Sequence, residues 1–94
     1  MTESELRKEV VDMAHALGWR VFSLPIAKTR RPVKDATGYP DLTLARGTSV
    51  IWIELKQQDG ILSRGQIAWL TMLPTAHVIR PGDWESGLVH RLLF

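Results

Sequence analysis

The 94-residue chain can bury one modest hydrophobic core and is too short for two, so residues 1–94 are read as a single domain. With 45% hydrophobic and 23% charged residues it is neither a disordered nor a fibrous chain, and having no cysteine it carries neither a disulfide framework nor a thiolate zinc site. The net charge of +2 matters less than its distribution: Lys28, Arg30, Arg31 and Lys34 crowd into one stretch with only Asp35 as counterweight.

The opening Met1-Thr2-Glu3-Ser4-Glu5 is acidic and polar where a secretory leader would be basic and then apolar, and no apolar run approaches the roughly 20 residues that span a bilayer. A cytoplasmic location with no membrane partner is therefore expected. Thr2 and Glu5 have the spacing of a capping box, and Leu6, Val10, Met13 and Leu17 follow at helical intervals with Val11 and Ala14 beside them. This predicts an amphipathic first helix that ends at Gly18 and packs on a sheet. Trp19 to Leu24 reads as a first strand closed by Pro25.

From Pro25 to Pro40 no periodicity is sustained, and the segment reads as a long loop whose basic cluster suits nucleic acid. Asp41 to Ala45 and Val50 to Lys56 read as a hairpin joined through Arg46-Gly47-Thr48-Ser49. The second of these runs is almost wholly apolar, as in a central strand covered on both faces. Ser63 and Gln66 form a second capping box, with Leu62 and Ile67 as a hydrophobic staple, and open a helix running to about Pro74. His77 to Arg80 predicts a short strand ended by Pro81-Gly82, and Asp83 is placed to cap a last helix carrying Trp84, Leu88 and Leu92. The expected architecture is α/β, a small mixed sheet flanked by helices in the order α-β-β-β-α-β-α, without internal repeats.

Glu54 and Lys56 stand out because they are charged positions in or at the end of an apolar strand. Charge persists in such a place when it is paired, binds a metal or meets water. The two are separated by one residue and so share a face of the strand, and antiparallel pairing brings Asp41 beside the end of that strand. Two adjacent carboxylates suit a hard divalent cation such as Mg²⁺. A neighbouring lysine can orient or help deprotonate a metal-bound water and offset charge building on a phosphate, which are the needs of phosphodiester hydrolysis.

Gly38-Tyr39-Pro40-Asp41-Leu42, then Ile53-Glu54-Leu55-Lys56, then Leu62-Ser63-Arg64-Gly65-Gln66 and Trp69, resemble the VRR-NUC (virus-type replication-repair nuclease) domain of the PD-(D/E)XK nuclease superfamily. The similarity covers nearly the whole chain and is greatest to the short stand-alone form found in bacteriophages, which would place the protein in the host cytoplasm. The resemblance implies a PD-(D/E)XK restriction-endonuclease-like fold, with Asp41 and Glu54 as metal ligands, the backbone carbonyl of Leu55 as a further ligand, and Lys56 as the catalytic lysine. Gln66 matches the family's glutamine near the active site. An acidic residue on the first helix usually completes such sites. Glu3 shares the helix line of Leu6 and Val10, while Glu5 has the capping role and becomes the alternative if the helix starts one residue differently. The resemblance further implies a Mg²⁺- or Mn²⁺-dependent DNA endonuclease that is structure-specific for branched DNA such as Holliday junctions or flaps.

Simpler readings accompany each of these features. A lone Glu-x-Lys at a strand end is more often a surface pair, and Gln66 is explained by capping alone. His15, His77 and His90 fall in different elements without ligand spacing and are assigned no chemistry. Trp19, Trp52, Trp69 and Trp84 sit at apolar positions and suit core or interface, and apolar surface left over from one small sheet would favour a homodimer. The alternatives to a nuclease are a non-catalytic nucleic-acid-binding module with a vestigial site, which would use Lys28, Arg30, Arg31 and Lys34, and a purely structural dimerisation subunit.

Overall fold

Thr2 starts the first helix as the capping box requires: its hydroxyl accepts the Glu5 N–H at 3.1 Å while the Glu5 carboxylate takes the Thr2 N–H at 2.8 Å. The computed structural model describes residues 1–23 and 35–94; Leu24, Pro25 and the basic residues Lys28, Arg30, Arg31 and Lys34 lie outside them. Helix α1 spans Glu3–Ala16. It closes in a Schellman motif, with the Trp19 N–H on the Ala14 carbonyl at 2.9 Å, the Gly18 N–H on the His15 carbonyl at 3.1 Å, and Gly18 at φ +86.

Strands β1 (Arg20–Ser23), β2 (Leu42–Arg46), β3 (Ser49–Leu55) and β4 (Ala76–Ile79) form one sheet in the order β1-β2-β3-β4. The first three are an antiparallel meander. Helix α2 (Arg64–Met72) provides the crossover that parallel neighbours require, and β4 pairs parallel to β3. The β2–β3 turn is Gly47-Thr48, with Gly47 at φ +61 in the first central position, as in a type II′ hairpin.

One face of this sheet carries the core. Leu42 and Leu44 of β2, Ile51, Ile53 and Leu55 of β3 and Ile79 of β4 are buried against the Leu6-Val10-Ala14 ridge of α1 and against Val89 and Leu93 near the C-terminus. The C-terminus is pinned there by polar contacts. Trp19 Nε1 donates to the Leu93 carbonyl at 2.8 Å, and the Arg46 guanidinium lies 4.4 Å from the Trp19 ring centre while donating to the carbonyls of Leu17, Leu93 and Phe94.

Three expectations need correction. The last helix is two, α3 (Pro81–Glu85) and α4 (Leu88–Leu93), broken at Gly87 with φ +82, so the order is α-β-β-β-α-β-α-α. Pro81, pre-set for helix at its first position, begins α3 earlier than expected. Asp83 is therefore not the N-cap but lies inside the first turn, where its carboxylate accepts the N–H of Arg80, the true N-cap, at 2.8 Å. Finally, β3 is fully covered on one face only: Val50 is exposed and Trp52 half-buried on the other, and α2 buries no residue completely. No helix among the described residues is long and apolar enough to cross a membrane.

Candidate functional site

The β2–β3 register pairs Leu42 with Ile53, so Asp41, one residue before β2, comes opposite Glu54 at the open end of the hairpin. Strand alternation turns Glu54 away from the face that buries Ile53 and Leu55. Both oxygens of Asp41 are engaged. Oδ2 accepts the Leu55 N–H at 2.9 Å, and Oδ1 pairs with Arg7 Nη2 of α1 at 3.2 Å.

The segment leading into Asp41 is held by α2. Gly38 sits at φ +85 so close to the helix start that a Cβ there would lie 2.2 Å from the Gly65 carbonyl carbon and 2.4 Å from the Gln66 nitrogen. Only glycine on the loop side permits this backbone-on-backbone approach. Tyr39 meets Trp69 edge to face at 4.9 Å and accepts Trp52 Nε1 on its hydroxyl at 2.8 Å, while Trp69 Nε1 donates to the Asp35 carbonyl at 3.0 Å. Three of the four tryptophans are thereby tied to polar partners in structural roles.

The same approach brings the first turn of α2 to the carboxylates. Gln66 Oε1 accepts the Ser63 N–H at 2.8 Å, completing the capping box, and its Nε2 donates to Glu54 Oε2 at 3.1 Å. Glu54 is 4% exposed. Burial first, then the negative charge of Asp41 and a carboxyl–carboxylate hydrogen bond to it, push the Glu54 pKa up from 4.5 to about 8. Lys56 opposes this rise and Glu3 adds to it, so both lie near enough for their charges to act on Glu54.

Lys56 follows β3, with its N–H on the Ile79 carbonyl of β4 at 3.1 Å. The turn beyond it is clamped by Arg80, whose guanidinium donates to the carbonyls of Gln57, Gln58 and Gly60 at 2.6, 3.2 and 2.8 Å. Gly60 in turn leaves room for the Lys56 stem, since a Cβ there would be 3.3 Å from Lys56 Cδ.

Of the residues singled out from the sequence, Asp41, Glu54, Gln66 and the backbone of Leu55 come together at this end of the sheet; Lys56 follows on the same strand, and Glu3 on α1 reaches Glu54 through its charge and not through a contact. Leu55 contributes its N–H to Asp41, and its side chain belongs to the core. Glu5 is engaged in capping Thr2. The candidate phosphate contacts Lys28, Arg30, Arg31 and Lys34 lie outside the described residues. His15, His77 and His90 stay apart on α1, β4 and α4. Arg7 and Arg80 were missed. For Arg7 the only signal was its place four residues after Glu3 and next to the core residue Leu6, on the flank of the buried stripe. No pattern marked Arg80, because its three acceptors are backbone carbonyls.

Among the described residues no three His, Cys, Asp or Glu side chains are gathered as a metal-binding group. The donors at Asp41 and Glu54 nevertheless fit a hard divalent cation: two carboxyl groups face each other across the hairpin, one of them buried, and a cation between them would offset both the burial and the repulsion that disfavour a charged Glu54. A shallow cleft at the opposite end of the sheet, lined by Trp19, Arg46, Val50, Trp52, Thr75 and Leu92 among others, contains no carboxylate. Comparison with family models, curated proteins and solved structures found no match to this chain.

Proposed function

We propose that this protein is a metal-dependent DNA endonuclease of the PD-(D/E)XK type that hydrolyses phosphodiester bonds in branched DNA. The observation that carries the reading is the pairing of Asp41 with buried Glu54 across the hairpin, with Gln66 of α2 hydrogen-bonded to Glu54 and the charge of Lys56 acting on it from the end of the same strand. The mixed four-stranded sheet, with α1 ahead of the meander and α2 crossing to β4, is consistent with it.

In this reading Asp41, Glu54 and the Leu55 carbonyl hold a Mg²⁺ or Mn²⁺ ion, which when bound supplies Lewis acidity and an activated water. The chain's own groups do the positioning. The Leu55 N–H fixes the Asp41 carboxylate, and the Gln66 amide fixes the rotamer of Glu54. Lys56 offsets negative charge gathering on the phosphate and orients the nucleophile, its stem seated over Gly60. Glu3 adds a third negative charge from α1. Lys28, Arg30, Arg31 and Lys34, which precede Gly38 in the chain, are the proposed contacts to the DNA backbone. Two paired chains would suit paired cuts in a four-way junction; exposed Ile67 and Met72 on α2 offer apolar surface for such pairing.

Incubating the protein with linear, flap and four-way-junction DNA, with and without Mg²⁺ or Mn²⁺, tests the proposal. Metal-dependent cleavage that is lost in Asp41→Ala is expected; equal cleavage by both proteins would sink it. The engagement of Asp41 Oδ1 by Arg7 favours a second reading, a binding module whose acidic site is closed by its own counter-ion. That reading predicts DNA binding without metal and no cleavage with any metal.

A further inference from the structure

Arg7 is the one cation in direct contact with the acidic pair among the described residues, and the proposed nuclease chemistry gives it no part. Its guanidinium is held at two points. Nη2 meets Asp41 Oδ1 at 3.2 Å, and Nη1 donates to Ser23 Oγ at the end of β1. The contact links three elements, α1, β1 and the start of β2, so α1 packing delivers the charge to Asp41 with little freedom left to the side chain. The Arg7 and Asp41 side chains are 28% and 23% exposed, so the pair is screened less than a surface pair and is not sealed from solvent.

We infer that Arg7 is the resident counter-ion of this acidic site, a positive charge that a divalent cation entering at Asp41 must share or displace. The inference rests on the proposed metal site and adds a residue that sets its affinity. Asp41 has two oxygens, and the Leu55 N–H holds Oδ2 independently of Arg7. Removing Arg7 therefore frees Oδ1 and removes a like charge from beside the ion without releasing the carboxylate. Mn²⁺ should bind more tightly to a protein lacking Arg7. An ordinary structural salt bridge predicts the opposite, because its loss would loosen Asp41 and weaken any ion bound there. In function, the arrangement would keep the site electrically balanced between catalytic cycles and make occupancy depend on the free metal concentration.

The test is Mn²⁺ binding, read by electron paramagnetic resonance of the free ion and by calorimetry, on the wild type, Arg7→Met and Asp41→Asn, with folding checked by circular dichroism. Arg7→Met should tighten binding by about five- to tenfold, the size expected from removing one partly screened like charge. Unchanged or weaker binding by Arg7→Met, while wild-type binding is still lost in Asp41→Asn, overturns the counter-ion role and leaves the metal site standing. Binding by neither the wild type nor Arg7→Met overturns both. Should Arg7→Met fail to fold, Arg7→Gln serves in its place: it removes the charge and keeps a polar side chain beside Asp41 and Ser23. Arg7→Gln should also tighten Mn²⁺ binding by about five- to tenfold, and no tightening overturns the inference.

Discussion

Gln66 spends both ends of its side-chain amide at once: Oε1 caps α2 on the Ser63 N–H, and Nε2 holds Oε2 of buried Glu54. Capping and site-building are therefore one interaction network. Gln66→Ala should lower stability by about 1–2 kcal/mol, the sum of a lost cap partner and a buried hydrogen bond, in urea denaturation. It should also reduce cleavage. Ser63→Ala removes only the reciprocal cap bond and should cost about 1 kcal/mol with a smaller effect on cleavage.

The raised pKa of Glu54 sets a pH dependence of folding. Between its unfolded value of 4.5 and about 8, the folded protein keeps a proton that the unfolded chain has released. Stability contributed by this group therefore falls as pH rises through that window and levels off above it. Denaturation curves from pH 5 to 9 should show Glu54→Gln to have a flatter profile than the wild type and to be more stable by up to a few kcal/mol at pH 8.5. A parallel profile in the two proteins would refute the assignment.

Glycine positions should divide sharply. Gly38→Ala drives a Cβ to 2.2 Å from the backbone of Gly65 at a positive φ, and should cost about 3 kcal/mol or more, or prevent folding. Gly47→Ala also sits at a positive φ, but its Cβ meets nothing within 4 Å, so about 1 kcal/mol is expected. Thermal unfolding of the two variants makes the comparison.

Arg46 ties three carbonyls and the Trp19 face to the C-terminal helix. Arg46→Ala should destabilise the protein by about 2–4 kcal/mol and speed amide exchange in α4 beyond that in β3. Lysine cannot reproduce the fork, so Arg46→Lys should recover only part of the loss.

Lys56→Met keeps the stem that lies over Gly60 and removes the charge. Stability should change little while kcat on a cleavable DNA falls by about a hundredfold or more, as when one electrostatic partner of a developing negative charge is lost. Loss of DNA affinity with an unchanged kcat would instead make Lys56 a binding residue.

What the sequence determined by itself was local. The Thr2–Glu5 and Ser63–Gln66 boxes, the Gly18 stop and the Gly47 turn are interactions within a few residues, and each was legible because its partners are neighbours in the chain. Hairpin connectivity made the approach of Asp41 to Glu54 legible too: the sequence set four residues, Arg46 to Ser49, between the strands, and although Arg46 and Ser49 themselves pair and leave a two-residue turn, Ala45 still lies opposite Val50 and the register is the same. The break at Gly87 was not legible, because Trp84, Leu88 and Leu92 keep helical spacing across it and an amphipathic pattern does not record a change of axis. Only the tertiary structure decided that Arg7 reaches Asp41, that Arg80 clamps the turn after Lys56, and that Gly38 and Gly65 bring α2 against Glu54. These contacts join residues 20 or more positions apart, and their partners are largely backbone atoms or charges whose distance depends on how α1 and α2 dock on the sheet. The carboxylate pair follows from strand pairing, whereas its counter-ion and supports follow from packing.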